Sequence, residues 1–393
     1  MIDLADPQFR ADPYPFYRRL RERDPVHWSD SSRAWIVTRH HDVRALFTHP
    51  SCAHWTDTLE SAPAPFLRTL ARWLWLLNPR SNSRLFELVR PLFTAAAAEA
   101  MRPAIAARAQ TLVEELRERA IVDVVIDFAD PLTLFVARRL LGIRDRDGQT
   151  FDPLARAVMR EFEALWTSGM QNQAPPASFA PFARFVAEVE HAGAFLGALG
   201  RARSKGDAIE ESEVVAFVIL FLFAAQENIK SFIANAAIAL AEHDEARCEL
   251  QSRPDLHGAA TEELLRFDTP VQFVALRAKD EMILGGRRIR AGDSIFAGIG
   301  AANRDPAAFP DPDRIDFHRR PATNLSFGAG AFYCLGAAHA RVETQEALGA
   351  MLRGFDSIAI ESVEWKSFPL VLRGPRSARI SVQPLQVRER ERL

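Results

Sequence analysis

Apolar residues recur at helical spacing through most of the chain. The pattern predicts short helices over Tyr14 to Arg23 and His41 to Phe47, with a strand, Ala34 to Thr38, between them. Helical patterns then continue from Arg84 to about Gly142 and from Phe151 to Arg203. The first half of the chain is therefore expected to be mostly helical.

Prolines interrupt this pattern, and breaks are predicted near Pro103 and Pro131. The longest uninterrupted pattern runs from Glu211 to His243, without proline or glycine, and as one helix it would be about 50 Å long. Its first half is apolar on nearly all sides, which predicts complete burial. Polar residues follow inside this buried stretch and need partners or a function, because burying them alone is costly.

Beyond residue 267 the pattern changes to short alternating segments. Met282 to Gly298 contains glycine turns and predicts small β ribbons, and Leu370 to Gly374 with Ala378 to Val382 predicts a terminal hairpin. Another helix is predicted over Ala337 to Leu352. The pattern favours a mainly α fold with small β-sheets, an α+β class, and the lack of repeats or linkers favours one domain over residues 1–393.

Charge and hydropathy narrow the classes of partner. The chain has 49 basic and 51 acidic side chains and a formal charge of −2, which disfavours nucleic acid and anionic membranes as partners. The apolar runs Phe66 to Leu77 and Val214 to Ala225 are shorter than the ~20 residues that a membrane span needs, so buried helices are expected. The first 16 residues lack a basic-then-apolar leader, and a cytoplasmic location is expected.

One of the three cysteines lies in a sequence that suits a bound ligand. Cys334 follows the glycine-rich segment that starts at Phe327 and immediately precedes the predicted helix. Glycines let a flat ligand approach the backbone, and a helix N-terminus favours a thiolate. A lone thiolate is a poor zinc site, but it can be the axial ligand of haem iron.

The segment reads F-G-x-G-x-x-x-C-x-G, a pattern expected by chance on the order of 10⁻⁵ times per sequence of this composition. It resembles the signature of the haem-thiolate cytochromes, the cytochrome P-450 superfamily. The resemblance implies haem b, iron protoporphyrin IX, with Cys334 as iron ligand and Phe327, Gly328, Gly330 and Gly336 forming the loop beneath it. The alternative interpretation is a structural cysteine buried in a tight loop.

Further segments extend the resemblance over nearly the whole chain. Glu263 and Arg266 match the family's E-x-x-R helix, which forms a buried ion network with a later arginine, here Arg319. Because Glu114 to Arg117 has the same spacing, only chain order distinguishes the second instance. The resemblance also implies that Arg277 holds a haem propionate, a task suited to a permanently charged fork, and the alternative is a surface salt bridge.

The central helix departs from the family's A-G-x-acid-Thr pattern, because Ala224 to Asn228 has the acid but lacks the alcohol. An amide donates and accepts hydrogen bonds but does not ionise. Our hypothesis is that Asn228 hydrogen-bonds the iron-bound oxygen or a water molecule, while Glu227 supplies protons through water. The alternative is a helix kink or an ion pair between Glu227 and Lys230.

Haem anchoring departs from the pattern as well. The family's H-x-x-x-R starts here at Asn82 and ends at Phe86, and the usual basic residue two positions before the cysteine is Phe332. Arg84 or Arg90 could compensate, unless both are ordinary surface arginines. The change at Phe86 also lies where related proteins meet ferredoxins, so the usual redox partner is not assured.

The resemblance implies a soluble bacterial monooxygenase that uses O₂ and electrons from a ferredoxin or flavodoxin-type donor. The expected reaction is hydroxylation, desaturation or coupling of a small apolar molecule in secondary metabolism. One alternative is an atypical haem-thiolate enzyme that uses peroxide or catalyses a rearrangement. Another is a haem sensor or binding protein without turnover.

Overall fold

The structure is a computed structural model that describes residues 7–54, 87–167, 177–189, 195–204, 209, 211–319, 323–366 and 371–384. The described α-helices are α1 (Pro7–Ala11), α2 (Tyr14–Arg23), α3 (His40–Thr48), α4 (Ala95–Leu116), α5 (Asp130–Leu141), α6 (Gly148–Thr167), α7 (Phe179–Glu188), α8 (Phe195–Ser204), α9 (Glu211–Leu222), α10 (Asn228–Glu242), α11 (Asp244–Ser252), α12 (His257–Phe267), α13 (Ile299–Ala302) and α14 (Ala337–Gly354). The described strands are β1 (Val26–Ser29), β2 (Ala34–Val37), β3 (Cys52–His54), β4 (Ile121–Asp123), β5 (Phe273–Ala278), β6 (Met282–Leu284), β7 (Arg287–Ile289), β8 (Ser294–Gly298), β9 (Phe355–Trp365) and β10 (Pro375–Pro384).

The long central helix predicted from the sequence is present, and it has one irregular turn. Helices α9 and α10 are joined by a π turn, Phe223–Glu227, so the helical path is continuous. A π turn admits an extra residue into the helix and is frequent at functional sites. Residues Glu213–Glu242 are long and apolar enough to span a membrane, but 67% of the apolar window is buried within the protein, as in a core helix.

Three small sheets accompany the helices. The largest has the strand order β1-β2-β8-β5-β3, in which β2 and β8 are parallel and the other pairs are antiparallel. The β6–β7 hairpin turns at Gly285 and Gly286, whose φ angles of 54° and 77° suit a two-residue turn. The third sheet has the order β4-β10-β9. The mainly α fold with small sheets is therefore confirmed.

Most buried apolar side chains form one helical core. This core includes the all-round apolar face of α9, which explains why its pattern shows no polar stripe. Two smaller clusters lie against the five-stranded sheet and under the N-terminal helices. The cysteine loop and the π turn lie next to the main core, because Phe327 and Phe223 both pack against it.

Two sequence predictions about elements were wrong. Helix α4 continues through Pro103, which is exposed, so the carbonyl that loses its amide partner can hydrogen-bond to water. The predicted terminal hairpin does not form either, because β10 pairs with β9, and Leu372 makes only an isolated bridge to Val271. A long antiparallel pairing with an earlier strand is thus preferred over the local turn.

Candidate functional site

The cysteine loop is held in shape by glycines and backbone hydrogen bonds. The backbone N–H of Cys334 donates to the Phe327 carbonyl oxygen over 2.8 Å. Gly328 and Gly330 have φ angles of 70° and 57°, a region that side chains other than glycine rarely adopt. A Cβ atom at Gly328 would also collide with the Phe332 carbonyl oxygen. The loop therefore requires these two glycines and presents Cys334 just before α14.

The thiol of Cys334 experiences opposing electrostatic effects. Burial raises the pKa of Cys334, whereas a hydrogen bond from the Gly336 backbone and the charge of Arg341 act to lower it. The expected preference for a thiolate is thus only partly supplied by the protein. A coordinated metal ion deprotonates a thiol outright, so iron would supply the remaining positive charge.

Cys334 faces a cavity of about 600 Å³ between the central helix and α14. This volume is within the range of ligand pockets in proteins. Most of the wall is apolar, with side chains such as Phe93, Phe217 and Phe221. The predicted loop residues Phe327, Gly328 and Gly336 line it, whereas Gly330 packs against the backbone of Phe47 outside the lining.

Asn228 lines the cavity at the first residue of α10, directly after the π turn. Its Oδ1 atom is buried and has no hydrogen-bond partner among the described residues. An unpaired buried acceptor is costly, so this oxygen fits a group that enters the cavity. The structure thus brings Asn228 and Cys334 to the same cavity, as the sequence predicted.

Glu227 does not contribute to the described cavity wall. Its Oε1 and Oε2 atoms each lie 2.6 Å from an ammonium nitrogen, those of Lys230 and Lys366 respectively. Burial alone would raise the pKa of Glu227, but the two lysines more than offset burial and lower it to about 2. This geometry favours an ion-pair role for Glu227 over proton supply, because both carboxylate oxygens are bound to lysines, and proton supply stays a prediction. The alternative interpretation, a helix irregularity with an ion pair to Lys230, describes its position.

The ion pair belongs to a network that joins two π turns. Lys230 also reaches Asp130 Oδ1 over 3.3 Å, and Gln226 Nε2 donates to the same oxygen over 3.0 Å. Asp130 directly follows the other π turn, Val124–Ala129, and its Oδ2 accepts from Arg156. The network therefore fixes the segment that carries Asn228.

The predicted ion network behind the loop is assembled in the structure. Glu263 accepts two hydrogen bonds of 2.8 Å from Arg266 and lies 3.3 Å from Arg319 Nε. Arg266 also donates to the carbonyl oxygens of Asn303, Pro312 and Arg314, so it ties α12 to the segment before the loop. All of these contacts join one segment of the protein to another, which fits the structural role expected of the network.

The two described arginines considered for the haem propionates lie at different places relative to the cavity. Arg277 lies on β5 three residues after Val274, which lines the cavity, so their side chains point to opposite faces of the sheet. Arg277 is not among the residues that line the described cavity, and its role toward a propionate stays a prediction. Arg84 lies outside the described residues. Arg90 does line the cavity, although its side chain is 62% exposed and pairs with Glu87 over 2.8 Å.

Five polar cavity residues were missed by the sequence analysis: His54, Ser326, Tyr333, His339 and Glu343. His339 and Glu343 follow Gly336 at helical spacing, so the predicted helix already carried the signal. Burial raises the pKa of Glu343 well above its usual value, and its Oε1 has no partner among the described residues. For His54 no local signal exists, because strand pairing alone brings it to the cavity.

These residues fit a haem group. One thiol faces a mainly apolar cavity, glycines allow a flat ring to approach the loop, and Asn228, which has an unpaired acceptor, lines the same cavity. Among the described residues, no three His, Cys, Asp or Glu side chains converge on a metal position. The arrangement is suited to a group that carries its own metal and needs one protein ligand.

Comparisons with known proteins agree with this site. A family model described as Cytochrome P450 matches residues 255–382. Mycinamicin IV hydroxylase/epoxidase of Micromonospora griseorubida is 33% identical over 371 residues, which cover 91% of this chain and 93% of the relative. The biotin biosynthesis cytochrome P450 of Bacillus subtilis is 28% identical over 93% of this chain and 95% of its own length.

A solved structure shows the same fold over nearly the whole chain. P450BioI in complex with hexadec-9Z-enoic acid ligated acyl carrier protein superposes with a TM-score of 0.84 and 26% identity. The match covers 96% of this chain and 99% of that chain. The resemblance predicted from the loop therefore extends to the complete architecture.

Proposed function

The chain belongs to the cytochrome P450 family of haem-dependent monooxygenases, and we propose that it oxidises a small, mostly apolar molecule by hydroxylation, desaturation or coupling. We further propose that the cofactor is haem b and that O₂ and two electrons from a redox partner drive the reaction. The observation that carries this proposal is the position of the Cys334 thiol at the wall of an apolar cavity.

When bound, the haem supplies oxygen activation and C–H oxidation, which its thiolate ligand favours by electron donation. The chain's own residues bind the haem, orient the substrate and exclude water. Cys334 ligates, the apolar wall around Phe217 and Phe221 desolvates the substrate, and Asn228 Oδ1 accepts a hydrogen bond from water or from a donor group of the substrate. Asn228 can thereby hold a water molecule over the cavity, but its amide does not release a proton.

The substrate class follows from the cavity wall. Its phenylalanine and alanine side chains favour an aliphatic or polyketide-like chain with few polar groups. Two relatives have biosynthetic or oxidative names, since one is a mycinamicin IV hydroxylase/epoxidase and another is a biotin biosynthesis cytochrome P450. The P450BioI structure holds a fatty acyl group on a carrier protein. We therefore infer a biosynthetic substrate, either free or bound to a carrier.

We propose a ferredoxin or flavodoxin-type protein as electron donor and the cytoplasm as location. The formal charge of −2 disfavours a nucleic-acid partner. The burial of the central helix disfavours its insertion into a membrane. Phe86, where related proteins carry an arginine, lies outside the described residues and makes the donor the first component to determine.

The test of haem-thiolate ligation is spectroscopic. Reduced holoprotein under carbon monoxide should show the red-displaced absorption of a thiolate-bound haem, and Cys334→Ser should abolish it. Cys248→Ser, at an exposed cysteine, is the matched control and should leave the spectrum unchanged. An unaltered spectrum in Cys334→Ser, or no haem binding after supplementation, would refute the proposal. A substrate library screened for low-to-high-spin shifts would then identify ligands of the cavity.

A second candidate function, peroxide-driven oxidation, is favoured by one observation. Neither residue expected to deliver protons does so in the usual form, because Asn228 replaces the alcohol and Glu227 is bound by Lys230 and Lys366. Peroxide already contains the oxygen, electrons and protons that this relay would help to provide. Turnover with hydrogen peroxide that exceeds turnover with O₂ and several reductase pairs would favour this candidate, and the reverse would exclude it.

A further inference from the structure

We propose that His54 binds a propionate carboxylate of the haem, in place of the basic residue that this chain lacks beside its cysteine. This inference rests on the proposed cofactor, haem b, whose two propionates must find donors as the porphyrin enters the protein. No sequence motif carries His54, and its position follows only from the fold.

The register of the five-stranded sheet places His54 at the cavity. Strand β3 pairs with β5, and His54 lies opposite Leu276. The side chain of His54 lines the same cavity as Cys334. A residue close to the N-terminus therefore reaches the wall formed by the C-terminal third of the chain.

The imidazole lies beside the cysteine loop. Its ring packs edge to face on Phe332, with 4.8 Å between the ring centroids and an angle of 71° between the planes. Phe332 occupies the position, two residues before Cys334, where the sequence resemblance expects a basic side chain. His54 thus supplies a nitrogen base in contact with the residue that replaced one.

The hydroxyls of Ser326 and Tyr333 also line the cavity, but Ser326 donates to the Leu265 carbonyl oxygen and Tyr333 is 53% exposed and accepts from Arg341. Arg277 lies outside the cavity lining, and His339 Nε2 is 2.7 Å from the Leu92 carbonyl oxygen on the α14 side. Arg90 lies in the same region as Leu92, within the short helix Arg90–Phe93. A carboxylate in an apolar cavity needs a hydrogen-bond donor, and two carboxylates on one porphyrin edge need more than Arg90 alone.

The orientation of the imidazole is fixed by the backbone. The Ala275 carbonyl oxygen accepts a hydrogen bond from the ring of His54. In the neutral ring this bond uses the only N–H, so the second ring nitrogen is an acceptor. Burial lowers the pKa of His54 to about 4, but a carboxylate placed against the second nitrogen would favour the imidazolium, in which both ring nitrogens donate. No covalent or redox step is involved, since the contact is a hydrogen bond to a carboxyl group.

The test measures haem retention in the ferric holoprotein, by transfer of haem to excess apomyoglobin. His54→Leu should accelerate the loss of haem b by roughly tenfold or more, because one charge-assisted hydrogen bond is removed. His54→Gln retains a hydrogen-bond donor, and its rate of haem loss should lie between those of the wild type and His54→Leu. His318→Leu, at an exposed histidine, should match the wild type.

Haem dimethyl ester separates the carboxylate contact from general packing. The wild type should lose the ester faster than haem b, and this difference should be smaller in His54→Leu, in which only the Arg90 contact remains. Equal retention of haem b by the wild type and His54→Leu would overturn the inference, as would a difference of the same size with the ester. If His54→Leu does not fold, His54→Gln and the wild-type ester comparison decide.

The spectrum under carbon monoxide distinguishes failure of the role proposed for His54 from failure of the proposed function. If the wild type shows the thiolate signature while His54→Leu retains haem b normally, only the role of His54 is refuted. If the wild type binds no haem, the proposed function and this inference are both refuted.

Discussion

The ammonium nitrogen of Lys366 lies 2.6 Å from Glu227 Oε2, and this ion pair joins the residue after β9 to the π turn of the central helix. Both side chains are about nine-tenths buried. Because the second carboxylate oxygen is held by Lys230, Glu227 is a structural anchor for the helix segment that carries Asn228.

We expect Glu227→Gln to lower the free energy of unfolding by roughly 3–5 kcal/mol at pH 7, since it leaves buried lysine charges without their partner. The lowered pKa of Glu227, about 2, stabilises the fold above the usual carboxyl range near 4.5, and this contribution is lost as the pH falls toward 2. Urea unfolding at several pH values should therefore show a gap between the proteins that narrows below pH 4.5.

Glu361→Gln, at an exposed strand position, is the control for this measurement and should show no such gap. The same anchor role predicts that Glu227 contributes no inflection to the pH profile of activity between pH 5 and 8. An inflection that disappears in Glu227→Gln would instead restore its role as a proton donor.

Asn228→Thr tests the hypothesis that Asn228 takes the place of the usual alcohol in proton delivery. A hydroxyl at this position can accept a hydrogen bond and pass on a proton, so product formation per O₂ should rise and peroxide leakage should fall. The measurement is product and peroxide yield with a fixed electron donor. Unchanged turnover together with unchanged leakage would defeat the hypothesis.

Asn235→Thr provides the same substitution about two turns further along α10. Asn235 is buried and donates to the carbonyl oxygens of Asp268 and Arg373, away from the cavity lining. It should alter stability but not the ratio of product to peroxide.

Glu343→Gln should stabilise the protein at neutral pH. Burial raises the pKa of Glu343, so ionisation costs more in the folded state than in the unfolded chain, and stability falls as the pH rises above about 4.5. Gln carries no such penalty, and each pKa unit contributes about 1.4 kcal/mol. Urea unfolding at pH 8 should favour the variant, and the advantage should vanish below pH 4.5.

Glu118→Gln is the exposed counterpart and should be neutral at both pH values. A loss of stability in Glu343→Gln at pH 8 would show that Glu343 has a charged partner in the holoprotein.

Arg266→Lys should destabilise the fold by roughly 3–5 kcal/mol, although charge is conserved. A lysine cannot replace the bidentate pair with Glu263 and the three carbonyl contacts together. Urea unfolding of the holoprotein measures the loss. Arg253→Lys, in an exposed pair with Asp255, should leave the midpoint unchanged, and equal effects at both sites would contradict the structural role of Arg266.

Local sequence patterns were sufficient to predict the elements whose apolar spacing or glycines lie within the element itself. Helices α2 and α3, strand β2 and the central helix follow from apolar spacing, and the cysteine loop follows from glycines that only a tight loop requires. The network of Glu263, Arg266 and Arg319 was accessible through its spacing and chain order.

Features that depend on distant contacts were not accessible. The π turn before Asn228 is fixed by Lys366, which is more than 130 residues away, and no local pattern encodes it. Arg277 was expected at the haem from the family resemblance, but strand alternation gives the cavity side of β5 to Val274. The partner of β10 was missed because β9 lies outside the segment that suggested a local hairpin.

The order of strands in the large sheet also determines when this protein can acquire its cofactor. Strand β3 pairs with residues 276–278, and the local β1–β2 hairpin joins the sheet only through residues 294–297, so the sheet is incomplete until most of the chain has left the ribosome. Haem capture is therefore a late event in biogenesis. A nascent chain that stops before β8 would contain only part of the haem site, because the cysteine loop follows β8 in the sequence.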